Sequence, residues 1–189
     1  MRIGIFGGCF NPVTRGHIRL ANFIVANNVV DRVLLLPCYK SLYNKGLLDG
    51  EHRVKMIDLA DRFTGVESFD WEIKNKIDGI GTYEIMNRLK NELNENLYFI
   101  MGLDNSQKVR NWKNGHKILN EHKFIVVPRI GTNVVDEWFK EQPHIFIENY
   151  QPDDMSSTSV RDLLKNNGDA SVLLDNDVYK YIKDNKLYQ

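Results

Sequence analysis

The chain has 189 residues, 25 basic and 25 acidic, and 42% of them are hydrophobic. Such a length supports one substantial core, read as a single domain over 1–189 with an α/β core in 1–150 and a helical section in 151–189. Balanced charge excludes the whole-molecule basic field of a nucleic-acid binder, and no apolar run approaches the roughly 20 residues that span a bilayer. The chain opens on a strand pattern instead of a charged and apolar leader, and its two cysteines, Cys9 and Cys38, fit neither a disulfide framework nor a zinc cluster. The expectation is a cytoplasmic protein with reduced thiols.

Strand patterns occur at 2–6, 32–37, 65–73, 97–102, 123–128 and 144–148, and helical patterns at 17–28, 50–63, 82–93, 159–167 and 176–185. Their alternation predicts a doubly wound, mainly parallel α/β sheet closed by a small C-terminal helical section. Near-continuous apolar runs such as Leu34, Leu35, Leu36 imply strands covered on both faces. Ligands of such sheets bind beyond the strands' carboxyl ends, which directs attention to the loops after residues 6, 37, 102, 128 and 148.

The first of these loops reads "GGCFNPVTRGH", 7–17. Two glycines let the backbone approach a ligand without Cβ interference, and the helix start behind them presents free N–H groups and positive potential, a combination that favours phosphate. It is neither G-x-G-x-x-G nor a P-loop. Pro12 stiffens the loop, Thr14 can cap the helix, and His17 follows one turn later. Taken alone, a T-x-x-H string reads equally well as a cap followed by a surface histidine. The segment "MSSTSVRDLL", 155–164, places Ser156, Ser157 and Thr158 at a second helix start with Arg161 one turn inside, where capping needs only one hydroxyl. After the fourth strand, "GLDNSQKVRNW" sets Gly102 and Asp104 at a carboxyl end and Trp112 in a polar setting that suits ring stacking.

The string at Gly8, Phe10, Asn11, Pro12, Thr14, Gly16 and His17 resembles the G-x-F-[DN]-P-x-[HT]-x-G-H signature of the nucleotidyltransferase superfamily, and 155–161 resembles its [IM]-S-S-T-x-x-R motif. With Gly102, Asp104 and Trp112, the resemblance narrows to nicotinate or nicotinamide mononucleotide adenylyltransferases and runs from residue 2 to about 188. It implies a Rossmann-like nucleotidyltransferase fold and transfer of the adenylyl group of ATP to nicotinate mononucleotide, giving deamido-NAD and pyrophosphate. The implied catalytic residues are His17, Thr14 and Arg161; Gly8, Cys9, Phe10, Gly102, Asp104, Ser157 and Thr158 join His17 and Arg161 around ATP. Trp112, Thr82, Tyr83, Lys40, Lys45 and Arg129 are implied for the mononucleotide.

The implied partners are ATP and a pyridine mononucleotide, with no nucleic acid and no membrane; a homo-oligomer is left open. Mg²⁺ is expected as a companion of ATP, with no protein ligand assigned. His17 and Arg161 are expected to supply positive charge or hydrogen-bond donors at the phosphates. Thr14 stands where many bacterial nicotinate enzymes have histidine, which keeps nicotinamide mononucleotide enzymes and phosphopantetheine adenylyltransferases in view as alternatives. A non-catalytic nucleotide sensor is the reading from a different class.

Overall fold

The computed structural model describes residues 1–40 and 46–189. Among them, strands β1 (Arg2–Gly8), β2 (Arg32–Pro37), β3 (Val66–Ser68), β4 (Asn96–Gly102), β5 (Lys123–Val127) and β6 (Ile145–Phe146) form one sheet. The order is β3-β2-β1-β4-β5-β6 and every pairing is parallel. The expected doubly wound fold is therefore present, with an all-parallel sheet. The helices are α1 (Arg15–Ala26), α2 (Gly50–Leu59), α3 (Trp71–Lys74), α4 (Thr82–Leu93), α5 (Leu103–Ser106), α6 (Gly115–Glu121), α7 (Ser157–Lys165) and α8 (Asn176–Asp184).

Side chains alternate across a pleated strand, and the two cores follow that period. Val33, Leu35, Tyr98, Ile100, Ile125 and Val127 face a cluster that takes Ile18, Ala21 and Ile24 from α1, Met56 and Ile57 from α2, Val160 and Leu164 from α7, and Val178 and Ile182 from α8. Leu34, Leu36, Leu97, Phe99, Phe124 and Val126 face the other cluster, with Trp71, Met86, Leu89 and Ile118 from α3, α4 and α6. The C-terminal helices thus bury their apolar stripes in the same cluster as the first helix. No helix among the described residues is long and apolar enough to cross a membrane.

Several boundaries differ from the sequence patterns. The alternating run at 65–73 yields only a short β3, because β3 pairs with β2 over Val33–Leu35 alone and Phe69 N–H adds one last bond to Leu35 O at 2.8 Å. Beyond it the chain coils into α3, where the Trp71 indole N–H reaches Glu92 Oε2 of α4 at 2.6 Å. Alternation does not distinguish a strand from a single turn at a sheet edge. Helix α1 begins at Arg15, two residues earlier than its apolar pattern, so His17 is the third residue of the helix and not its first. Short α5 and α6 carry too few apolar positions to register as periodic.

Candidate active site

Strand order reverses between β1 and β4, and the crevice outside their carboxyl ends is where a doubly wound sheet holds its ligand. A cavity of about 250 Å³ opens there, walled by Phe6 and Gly7 of β1, His17 of α1, Gly102 at the end of β4, Asp104 just beyond it, and Arg129 after β5. A Cβ on Gly7 would lie 3.1 Å from the Phe99 ring, and one on Gly16 would lie 3.3 Å from Met155 Cβ. The second of these close approaches seats the start of α1 against the segment leading to α7.

His17 is held from below. The Thr14 backbone N–H donates to His17 Nδ1 at 3.0 Å, and Thr14 Oγ1 lies 2.8 Å from the same nitrogen. An amide N–H can only donate, so Nδ1 accepts and the ring proton sits on Nε2. Phe10 packs edge-on to the imidazole at 5.2 Å and Phe6 tilts against it at 6.0 Å. Burial first, and the Arg129 guanidinium second, push the His17 pKa down from 6.5 to about 4. His17 is therefore a neutral donor at physiological pH, and of the two expected properties, charge or donation, the structure keeps donation.

Between about 4 and 6.5 the unfolded chain binds a proton at this position and the folded chain does not. The stability that His17 contributes is present above pH 6.5 and is lost as pH falls toward about 4. Unfolding midpoints of the wild type and His17→Gln, compared across that range, should converge as the pH falls. Parallel curves would mean that His17 titrates normally.

The opposite end of the chain meets this loop directly. Arg161 Nη1 donates to Asn11 O at 2.8 Å and Nη2 to Thr158 Oγ1 at 3.1 Å, while Ser157 Oγ donates to Pro12 O at 2.7 Å. Ser156, not Ser157, caps α7, accepting from Ser159 N–H at 3.0 Å. Asn11 is 1% exposed and sits at the junction of three segments. Its Nδ2 donates to Gly46 O at 3.1 Å, and its Oδ1 accepts from Tyr188 OH at 2.8 Å. Phe10 beside it adopts φ +45°, a left-handed conformation that a bulky residue rarely takes and that surrounding packing must enforce.

Of the residues expected around ATP, His17, Gly102 and Asp104 wall the cavity, and Arg129, expected for the mononucleotide, joins them there. Thr14, 1% exposed, and Phe10, 2% exposed, lie beneath it and touch His17 instead. Gly8, Cys9, Ser157, Thr158 and Arg161 are outside its wall, with Arg161 and Ser157 turned onto the carbonyls of the 11–12 loop. Sequence reasoning missed Phe6, Asn105, Tyr150 and Asp153, which also wall the cavity. Asp153 Oδ1 accepts from Arg19 at 2.9 Å and its buried Oδ2 has no protein partner. Its loop position after the last strand was the available signal.

Arg53 was missed as well. It is fully buried, its Nε donating to Leu48 O at 2.8 Å and its Nη1 to Cys9 O at 2.9 Å, which fixes the glycine loop from the side of α2. In sequence it reads as one more polar residue of an amphipathic helix. Among the described residues no group of three His, Cys, Asp or Glu side chains is placed to hold a metal ion.

The family model described as Cytidylyltransferase-like matches residues 5–163. The nicotinate-nucleotide adenylyltransferase of Bacillus subtilis is 30% identical over 100% of this chain and 98% of its own. A probable nicotinate-nucleotide adenylyltransferase of Flavobacterium psychrophilum is 31% identical over the whole of both chains. The chain belongs to the nicotinate-nucleotide adenylyltransferase family. It is accordingly a nucleotidyltransferase. The fold is also that of a Plasmodium falciparum nicotinic acid mononucleotide adenylyltransferase complexed with NaAD, with a TM-score of 0.84 at 22% identity, covering 99% of this chain and 97% of that one.

Four of the six residues that the adenylyltransferase resemblance implies for the mononucleotide, Thr82, Tyr83, Trp112 and Lys40, lie on the side of the sheet covered by α3 and α4. Gly81, the N-cap of α4, lies so close to Lys113 that an added Cβ would sit 3.4 Å from Lys113 Cβ. The start of α4, 81–85, and the segment 111–113 around Trp112 are thus neighbours. Trp112 stands edge-on to Phe99 at 6.4 Å. The Tyr83 hydroxyl donates to Glu121 Oε2 at 2.7 Å, and Lys40 pairs with Asp78 at 2.7 Å, so both polar ends already have protein partners. Arg129 is set apart from this group, in the cavity wall near His17. Lys45 lies outside the described residues.

Proposed function

We propose that this chain transfers the adenylyl group of ATP to nicotinate mononucleotide, yielding deamido-NAD and pyrophosphate in NAD biosynthesis, and that it does so in the cytoplasm. The observation that carries the reading is the cavity at the β1–β4 switch point, whose wall brings the His17 donor and the Arg129 charge together with Gly102 and Asp104. Full-length similarity to nicotinate-nucleotide adenylyltransferases supports the substrate.

The mononucleotide phosphate oxygen attacks the α-phosphorus of ATP, the bond from that phosphorus to the bridging oxygen breaks, and pyrophosphate departs with the electron pair. The attacking phosphate has a second pKa of about 6, so near neutral pH it needs no general base. What the reaction asks of the protein is alignment of two anions and stabilisation of charge on the phosphoryl oxygens. His17 Nε2–H donates to a phosphate oxygen, and the start of α1 adds N–H groups and dipole. Arg129 supplies permanent charge at the same cavity. Asp104 accepts from the ribose hydroxyls. Arg161 and Ser157 hold the 11–12 loop under the phosphates, and Arg161 can exchange Thr158 for phosphate through its second fork. Mg²⁺ enters as part of the ATP substrate, carried by phosphate oxygens and water.

Because Nδ1 already accepts from Thr14 and the ring is neutral, raising the pH from 6.5 to 8 removes no proton from His17. Turnover should climb with ionisation of the mononucleotide phosphate near pH 6 and then stay level. A decline in kcat from pH 6.5 upward would show instead that an imidazolium is needed.

Trp112→Ala should raise the KM for the mononucleotide by about tenfold, in line with about 1–3 kcal/mol for a base stacked on an aromatic ring, and leave the KM for ATP nearly unchanged. Equal changes in the two constants would contradict stacking on the pyridine ring. The overall reading is tested by pyrophosphate release from ATP with nicotinate and nicotinamide mononucleotide offered in turn. Faster release with the nicotinate form is expected. Preference for the amide would assign the nicotinamide reaction, and release with neither would mark a nucleotide-binding sensor.

A further inference from the structure

Cys9 follows the two glycines of the phosphate-side loop, and Cys38 follows the last residue of β2. Gly8 and Pro37 are register partners in the parallel β1–β2 pair, and Cys38 N–H donates to Gly8 O at 2.9 Å. The two cysteines therefore stand side by side one residue past the ladder. Adjacent strands run about 4.8 Å apart, and disulfides join Cα atoms roughly 4.4–6.8 Å apart, so chains leaving the end of this ladder are within a small shift of a bridge. Cys38 Sγ–H donates to Cys9 Sγ at 3.6 Å, and neither residue is fully buried.

The surroundings distinguish the two sulfurs. Cys38, the donor of this contact, has its pKa pushed up, first by that hydrogen bond and then by burial, while nearby Arg53 opposes the rise and Glu72 adds to it. Cys9 is the acceptor, and the buried Arg53 guanidinium bonds its carbonyl at 2.9 Å, bringing positive charge to the residue. The thiolate is the species that reacts, and the contact between the two sulfurs puts Cys38 within reach as the resolving thiol once Cys9 is oxidised.

We propose that Cys9 and Cys38 form a reversible oxidation site, a dithiol that hydroperoxides convert into a disulfide and that small thiols restore. The Cys9 thiolate attacks the peroxide oxygen; with one proton taken up, the O–O bond breaks, the alcohol or water leaves and Cys9 becomes a sulfenic acid. Cys38 then attacks the Cys9 sulfur, the S–O bond breaks, and water leaves with the thiol proton. The peroxide is reduced by two electrons and the dithiol is oxidised by two. Two small thiols reverse the bridge and leave as their own disulfide.

Contraction to an S–S bond of about 2.05 Å must draw in Cys9 and, with it, Phe10, which is held at φ +45° and braces the His17 ring at 5.2 Å. Displacement of the His17 donor slows phosphoryl chemistry, so the oxidised enzyme is the slow form.

The test treats the intact protein with hydrogen peroxide, blocks remaining thiols and digests with trypsin. The expected product joins the tryptic peptides 3–15 and 33–40, lighter than their sum by two hydrogens, with adenylyl transfer reduced at least about tenfold and regained with dithiothreitol. Cys38→Ser should form no bridge and keep its untreated activity. The cross-link is read by mass and so stands or falls independently of the assigned reaction. Two alkylated cysteines after peroxide treatment would overturn the proposal, as would a bridged protein of full activity or an equal thiol-reversible loss in Cys38→Ser.

Discussion

His17→Ala is expected to lower kcat by about 10²–10³-fold, the range observed when one preorganised donor to a developing oxyanion is removed. The loss should fall on kcat more than on the KM of either nucleotide, because the Nε2–H interaction strengthens as charge builds on the phosphoryl oxygens. The fold should survive. His17 belongs to the first turn of α1, and its hydrogen bond with Thr14 is of the capping kind, worth typically about 1 kcal/mol. His17→Gln keeps an amide donor at the same position and should recover part of the rate. Steady-state kinetics on the three proteins, with unfolding midpoints measured in parallel, check the assignment. A kcat within a factor of about three of wild type in His17→Ala would leave the imidazole without a chemical role, since removing a working donor costs far more.

Arg53→Met should be the most destabilising of these substitutions, by about 3–5 kcal/mol, because it breaks a buried charged network. The Arg53 side chain is 0% exposed and serves Leu48 O and Cys9 O. Its removal leaves both carbonyls without their present donor, each costing about 1–3 kcal/mol when buried. Glu72 also loses a favourable partner. Its carboxyl, already pushed up to about 7 by burial, is pulled back by the Tyr39 N–H and the Arg53 charge. Arg53→Lys should restore only part of the stability, since one ammonium on a flexible stem does not reproduce a fork aimed at two carbonyls. Denaturant titration gives the values. A loss in Arg53→Met below about 1 kcal/mol would mean that the two carbonyls find other partners at little cost.

Much of the architecture was legible because it is recorded locally. Alternate residues of β2, Val33 and Leu35 against Leu34 and Leu36, divide between two cores, and that period is visible in four consecutive letters. The edge was harder to read. Val66 to Ile73 alternates as a strand would, yet β3 ends at Ser68, because pairing depends on how far the neighbouring strand offers bonds.

The sequence by itself determined the parallel doubly wound scaffold, the glycine turn, and the presence of an imidazole, a guanidinium and hydroxyls at helix starts. Those follow from periodicity and residue chemistry, which are properties of neighbouring letters. Only the tertiary structure decided that His17 is neutral at physiological pH, because burial against Phe6 and Phe10 and the charge of Arg129 bring that about from separate segments. It also decided that Arg161 meets Asn11 across 150 positions, and that Cys38 lies against Cys9. Charge state and contact depend on burial and on distance in space, and both arise only when remote parts of the chain pack together.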